Sequence, residues 1–178
     1  MAYYGTLTEA NAYFDNRLHS EGWSDSNPAD RPKALTEATQ LIDSLNYKGV
    51  KNAVWLIMYD QTDPYCKKLV DAPNRDEVIA ADATQDMEFP RGQDTGVPTV
   101  IEWACYEIAL ALLEGFTPED GIDRLNVIRQ AYSAVRTTYD VSSAAMEYLV
   151  YGIPTARVWG WLKNYLTDDQ IIHISRAD

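Results

Sequence analysis

The chain has 178 residues, 46% of them hydrophobic, which suits one domain with a real core and argues against disorder of the whole chain. Its net charge of −12 repels nucleic acid at long range, because duplex binding runs on lysine and arginine neutralising phosphates. No run of about 18 apolar residues is present and Met1-Ala-Tyr-Tyr-Gly5 has neither a basic nor an apolar stretch, so neither a membrane span nor a secretory leader is expected.

The first predicted element is a helix from about Leu7 to Leu18. Thr6 or Thr8 can cap it, and Thr6 stands three residues before Glu9, the capping-box spacing. Leu7, Ala10, Phe14 and Leu18 recur at helical spacing and give one apolar stripe. Gly22 and the run Ser24-Asp-Ser-Asn-Pro-Ala-Asp30 break the chain. A second helix starts near Pro28 or Pro32, with Asn27 as a candidate N-cap, and ends near Leu45. Its predicted buried face is Leu35, Ala38, Leu41, Ile42 and Leu45, and Lys48-Gly49 closes it.

Residues 46–97 are the least regular part. Val54–Met58 fits either a strand or a turn of buried helix, Asp76–Asp82 a short helix, and Phe89-Pro-Arg91 an extended corner, since the residue before proline avoids the helical region. So long an irregular stretch tends to be functional or ordered by a partner. A third helix starts at Pro98 and ends at Gly115, with Val97, Ile101, Ala104, Cys105, Ile108, Ala111 and Leu112 on its apolar face. Thr117-Pro118 opens a short helix toward Leu125, and Ala131–Tyr139 reads as a strand. Ser142–Tyr151 fits a helical turn or the second arm of a hairpin. Ile153–Leu166 reads as a fourth helix with Val158, Trp161, Leu162 and Tyr165 inward. The chain after it carries Ile171, Ile172 and Ile174; large apolar side chains in a terminal segment predict docking, onto this domain or another chain. The fold class expected is mainly α: a bundle of about four helices with a small β-hairpin or strand element and a C-terminal tail. We expect one domain over 1–178, comprising a three-helix part (1–115), a strand and loop elaboration (116–152), and a C-terminal helix with a docking tail (153–178).

The search for chemistry is negative. The histidines, His19 and His173, lie near no serine or cysteine in a recognised nucleophile motif and read as surface residues. Arg91–Gly96 lacks the lysine of a phosphate loop, and no His/Cys/Asp/Glu group has metal spacing. Cys105 reads as a small core residue and Cys66 as a plain thiol; their separation makes neither a metal motif nor a disulfide framework. Glu102, Glu107, Glu114, Glu119, Asp120 and Asp123 read as a solvated face rather than acid–base pairs. No catalytic residue, cofactor or metal is assigned. The 12 Tyr, 5 Trp and 3 Phe fit core packing, subunit interfaces and, less well, base stacking, because the basic residues are scattered.

The phrase Thr6-Leu-Thr-Glu-Ala-Asn-Ala-Tyr-Phe14, the helix Ala34–Asp43, the corner Phe89-Pro-Arg91 and the start Val97-Pro98 come in an order that resembles bacteriophage head-to-tail connector (adaptor) proteins. The same group also carries a DnaT-like single-stranded DNA-binding label. The resemblance covers roughly residues 4 to 115, and beyond it only the order of elements is similar. It implies a virion protein of the neck, made in the host cytoplasm. It implies a homo-oligomeric ring of typically about twelve subunits, joined by a heterologous interface that closes by rotation. The implied partners are the portal protein above, tail or nozzle proteins below, and genomic DNA passing the lumen without specific binding. The portal contact is expected at Ile171, Ile172, His173, Ile174 and Arg176. The alternative is a single-stranded DNA-binding accessory protein. A third, weaker rival is an enzyme with convergent buried carboxylates.

Overall fold

The computed structural model describes residues 2–59, 73–117, 129–132, 135–138 and 147–167. The protein is mainly α. Its helices are α1 (Leu7–Asp15), α2 (Glu21–Ser24), α3 (Arg31–Asp43), α4 (Asn52–Met58), α5 (Arg75–Ala83), α6 (Thr99–Leu113), α7 (Glu147–Val150) and α8 (Ala156–Leu162). A 3-10 turn, Lys163–Tyr165, extends α8. Strands β1 (Arg129–Tyr132) and β2 (Val135–Thr138) pair antiparallel, with Arg129 opposite Thr138. The four expected helices are all present, joined by shorter ones. The helix expected from Pro118 lies outside the described residues.

Thr6 caps α1: its Oγ1 accepts from the Glu9 N–H (3.2 Å) and donates to Glu9 Oε2 (2.7 Å). The helix stops at Asp15, not at Leu18. Arg17 turns back toward α6 and donates from Nη1 to the carbonyls of Leu18 (3.3 Å) and His19 (2.6 Å), with His19 at φ +58°. Leu18 therefore leaves the predicted stripe and is 83% exposed. Gly22 does not break the chain; it lies in α2, which delivers Trp23 to the core, stacked on Phe14 at 4.6 Å. Asn27 does not cap α3 either. Its carbonyl and side chain close the turn before it, accepting from the Asp30 and Ala29 N–H groups, and the cap is Asp30 with proline in the first turn.

The core is the packing of α3 on α6. Ala34, Leu35, Ala38, Thr39 and Ile42 face Ile101, Ala104, Cys105 and Ile108. Small residues at the contact let the two helices approach closely. Cys105 is buried as expected, 3.4 Å from Thr39 Oγ1, and burial pushes its thiol up to about 12. Tyr4, fully buried, ties three segments to this core. Its N–H donates to Thr39 Oγ1 (3.1 Å), its hydroxyl donates to Asp43, and it accepts from the Phe89 N–H (3.2 Å). Gly5 follows at φ +73°, and a Cβ there would stand 1.9 Å from the Tyr106 hydroxyl oxygen, so only glycine fits.

The Phe89-Pro-Arg91 corner is structural. Phe89 is fully buried, meeting Tyr4, Tyr47 and Tyr165 edge-on, and the Phe89–Pro90 peptide is cis. Arg91 pairs with Glu88 and donates to the carbonyls of Tyr47 (3.3 Å), Lys48 (3.1 Å) and Gly49 (2.7 Å), which fixes the turn after α3. Within the irregular region, Val54–Met58 resolves as helix α4, in which Val54 alone is buried. The predicted helix near Asp76 is α5, with an Asn74–Glu77 capping box and no buried residue. Helix α8 starts at Ala156, not Ile153, because Thr155 Oγ1 caps the Val158 N–H (3.3 Å). The chain then docks on the turn after α3: Leu166 bridges Tyr47, and the Thr167 N–H donates to the Asn46 carbonyl (3.1 Å).

Candidate interaction surface

Glu107 is the anchor of the most functional-looking face. It sits in the middle of α6, inside the otherwise apolar run Trp103–Leu113, and is only 5% exposed, so it is not on a solvated face as the sequence suggested. A buried carboxylate needs a partner. Arg17 supplies it side-on: Nε donates to Oε1 (2.7 Å) and Nη2 to Oε2 (2.8 Å). Tyr13 adds a third bond, its hydroxyl donating to Oε1 (2.6 Å); burial first, and then this bond, push the Tyr13 phenol up to about 12.

A second guanidinium reaches the same carboxylate from α8. Arg157 Nη1 stands 3.8 Å from Glu107 Oε1, within ion-pair range and beyond hydrogen-bond range. Arg157 is 60% exposed and lies over the Trp161 ring, 4.9 Å from its centroid. Trp161 in turn lies 6.2 Å from Trp103, and Trp103 lies 6.3 Å from Tyr13. Trp103 is 40% exposed. An open cleft beside them is lined by Tyr13, Asn16, Arg17, Leu18, His19 and Arg157. The face thus carries two arginines against one glutamate, two tryptophans and an exposed leucine, on a chain of net charge −12. Tryptophan and arginine are the residue types that dominate interface energetics.

Asp43 is the other enclosed carboxylate. It accepts from the Tyr4 hydroxyl and from the Glu88 N–H (3.3 Å), and burial raises its pKa from 3.8. Its hydrogen-bond partners are a backbone N–H and a phenol, which tie the end of α3 to the Phe89 corner. Among the described residues no group of His, Cys, Asp and Glu is placed to hold a metal ion, and no helix is long and apolar enough to cross a membrane.

Of the predicted site residues, Ile171, Ile172, His173, Ile174 and Arg176 lie outside the described residues. His19 is exposed at the rim of the cleft. The Arg17–Glu107–Arg157 grouping was missed because its members lie 90 and 50 positions apart along the chain. Two signals were present: a lone glutamate inside an apolar run, and Arg157 four residues before Trp161 on one helix face. Comparison of the chain with protein-family models, curated proteins and solved structures found no match in any of the three.

Proposed function

We propose that this protein is a structural, non-catalytic phage neck component: a head-to-tail adaptor that assembles as a ring below the portal. The observation that carries the reading is the Trp103–Trp161–Arg157 face, with Trp103 and Arg157 exposed and Trp161 half-buried between them, the composition of a subunit contact. The resemblance of the N-terminal phrases supports the same reading, because each of them contributes a frame element here: the Thr6 cap, the buried face of α3, the Phe89 corner and the Pro98 helix start. In this role the acidic surface lets genomic DNA slide through the lumen without adhering. The residues after Thr167 reach the portal, and tail or nozzle proteins attach below.

The test is the mass of the purified protein in solution, alone and mixed with a portal ring, by light scattering or electron microscopy. A ring in either state supports the adaptor role. Binding to neither itself nor the portal ends it.

A second reading draws on the same face. An exposed tryptophan, Trp103, near an arginine also suits a stacking platform for single-stranded nucleic acid, where each stacked base contributes about 1–3 kcal/mol. It predicts quenching of tryptophan emission by oligothymidylate, lost as salt rises. The net charge of −12 opposes it.

A further inference from the structure

We propose that the Trp103–Trp161–Arg157 face of one copy takes the outer face of α5, centred on Ile79, from the next copy. The proposal rests on the ring reading above. A ring built by rotation needs two different patches on each chain that fit one another. The described residues hold such a pair.

The first patch has a surplus positive charge. Arg17 is taken up by Glu107, while Arg157 makes no hydrogen bond to it at 3.8 Å and its side chain is 60% exposed. Leu18 and Trp103 flank it with exposed apolar surface.

The second patch is its complement. Helix α5 has nine residues, none of them buried, and Ile79 is 55% exposed. A helix this short is marginal in water on its own; α5 packs on α4 with no residue buried, so it gains from a partner that covers its outer face. One arginine, Arg75, stands among four exposed acids: Asp76, Glu77, Asp82 and Asp86. Lys51, 3.5 Å from Asp82, offsets only one of them. The groove beside Ile79 is lined by Val54 and Val78, which extend its apolar surface. The two patches share no residue, as a head-to-tail contact demands. In the contact, Arg157 meets the acids at the N-terminal end of α5, and Ile79 packs against Trp103 and Leu18.

The experiment uses two single variants of the full chain, Arg157→Glu and Ile79→Glu, both at exposed positions. Circular dichroism and melting check that each is folded; Asp76→Lys replaces Ile79→Glu if the latter is not. Masses are measured in the condition where the wild type forms rings, alone or on a portal ring. We expect each variant alone to be monomeric. An equimolar mixture then gives a one-to-one heterodimer and nothing larger, because one intact pair of faces remains. Higher salt shifts the mixture back to monomers. Variants that form wild-type rings overturn this contact and leave the ring reading standing. Folded variants that are monomeric alone but give no heterodimer overturn the pairing of these two faces. A wild-type chain that forms no ring in either condition overturns both.

Discussion

Asp43 and Glu107 both hold a carboxylate away from water, and they are stabilised in opposite ways. Glu107 is matched by a guanidinium, so removing it leaves Arg17 half-buried without its counter-charge. Asp43 accepts its hydrogen bonds from neutral donors, the Tyr4 hydroxyl and the Glu88 N–H, and burial raises its pKa. A group whose folded pKa is raised contributes stability that is present below its unfolded value and lost as pH rises through the folded one. Asp43 therefore contributes most below pH 3.8 and least at neutral pH. Asn keeps the acceptor oxygen without the charge. We expect Asp43→Asn to be at least as stable as wild type at neutral pH, the gap closing on acidification. Asp43→Ala strands a buried phenol and should cost about 1–3 kcal/mol. Urea unfolding of the three proteins across pH measures this, and a large loss in Asp43→Asn would refute the neutral-donor account. The tyrosines give the alkaline limb. Burial raises Tyr4, Tyr47 and Tyr106 well above 10.0 and carries Tyr13 to about 12. By the same sign, their contribution is complete below pH 10.0 and is lost as pH climbs through the folded values. The phenolate absorbance of Tyr4, Tyr13, Tyr47 and Tyr106 should therefore appear only above pH 10.0, with unfolding. Full ionisation of all 12 tyrosines near pH 10 with helicity intact would contradict this burial.

Among the elements, the longest were the most legible. Helices α1, α3 and α6 announce themselves by apolar residues at helical spacing, and the structure buries Phe14, Leu35, Ile42, Ile101 and Ile108 as that spacing requires. The ends were less so. Helix α1 loses its last turn because Arg17 is drawn to a partner in α6, a tertiary pull that no local signal carries. Helices α2 and α4 were hidden for a different reason: a turn or two is too short to show a period, and the apolar run of α4 fits strand and helix equally. Helix α5 was partly visible, yet its lack of any buried residue is a property of the packed molecule. That property has a measurable consequence. Local opening free energy follows buried contact, so α5 should open far more readily than α6. Amide exchange on Val78–Ala83 is expected at least tenfold less protected than on Ala104–Leu110 in the isolated chain. Equal protection in a verified monomer would mean that α5 is held by contacts within its own chain.

The whole molecule sets a packed helical core against two surfaces that the core does not consume. The aromatic and basic face was illegible because it is assembled from α1, α6 and α8, whose sequence separation conceals their proximity. The expected portal residues lie beyond Thr167, outside the described residues. Leu166 is buried against the core and bridges Tyr47, the Lys48 N–H donates to the Tyr165 carbonyl (2.8 Å), and the Thr167 N–H donates to the Asn46 carbonyl (3.1 Å). Up to Thr167 the chain is a fold element; a cut before Lys163 removes Tyr165 from Phe89 and leaves Asn46 and Lys48 without these backbone partners. A cut after Thr167 keeps every one of these contacts. We therefore expect the chain ending at Thr167 to melt within a few degrees of wild type, a shift of about 0.5 kcal/mol or less. The chain ending at Leu162 should lose about 2–5 kcal/mol, since it empties the site of a buried leucine and opens one side of Phe89. Both truncations remove Ile171, Ile172, His173, Ile174 and Arg176, so only the longer one isolates their role. If those residues dock on the portal, it folds, keeps any ring that forms without the portal, and fails to co-sediment with a portal ring. Undiminished co-sedimentation would remove them from the interface, and unfolding would place them in the core.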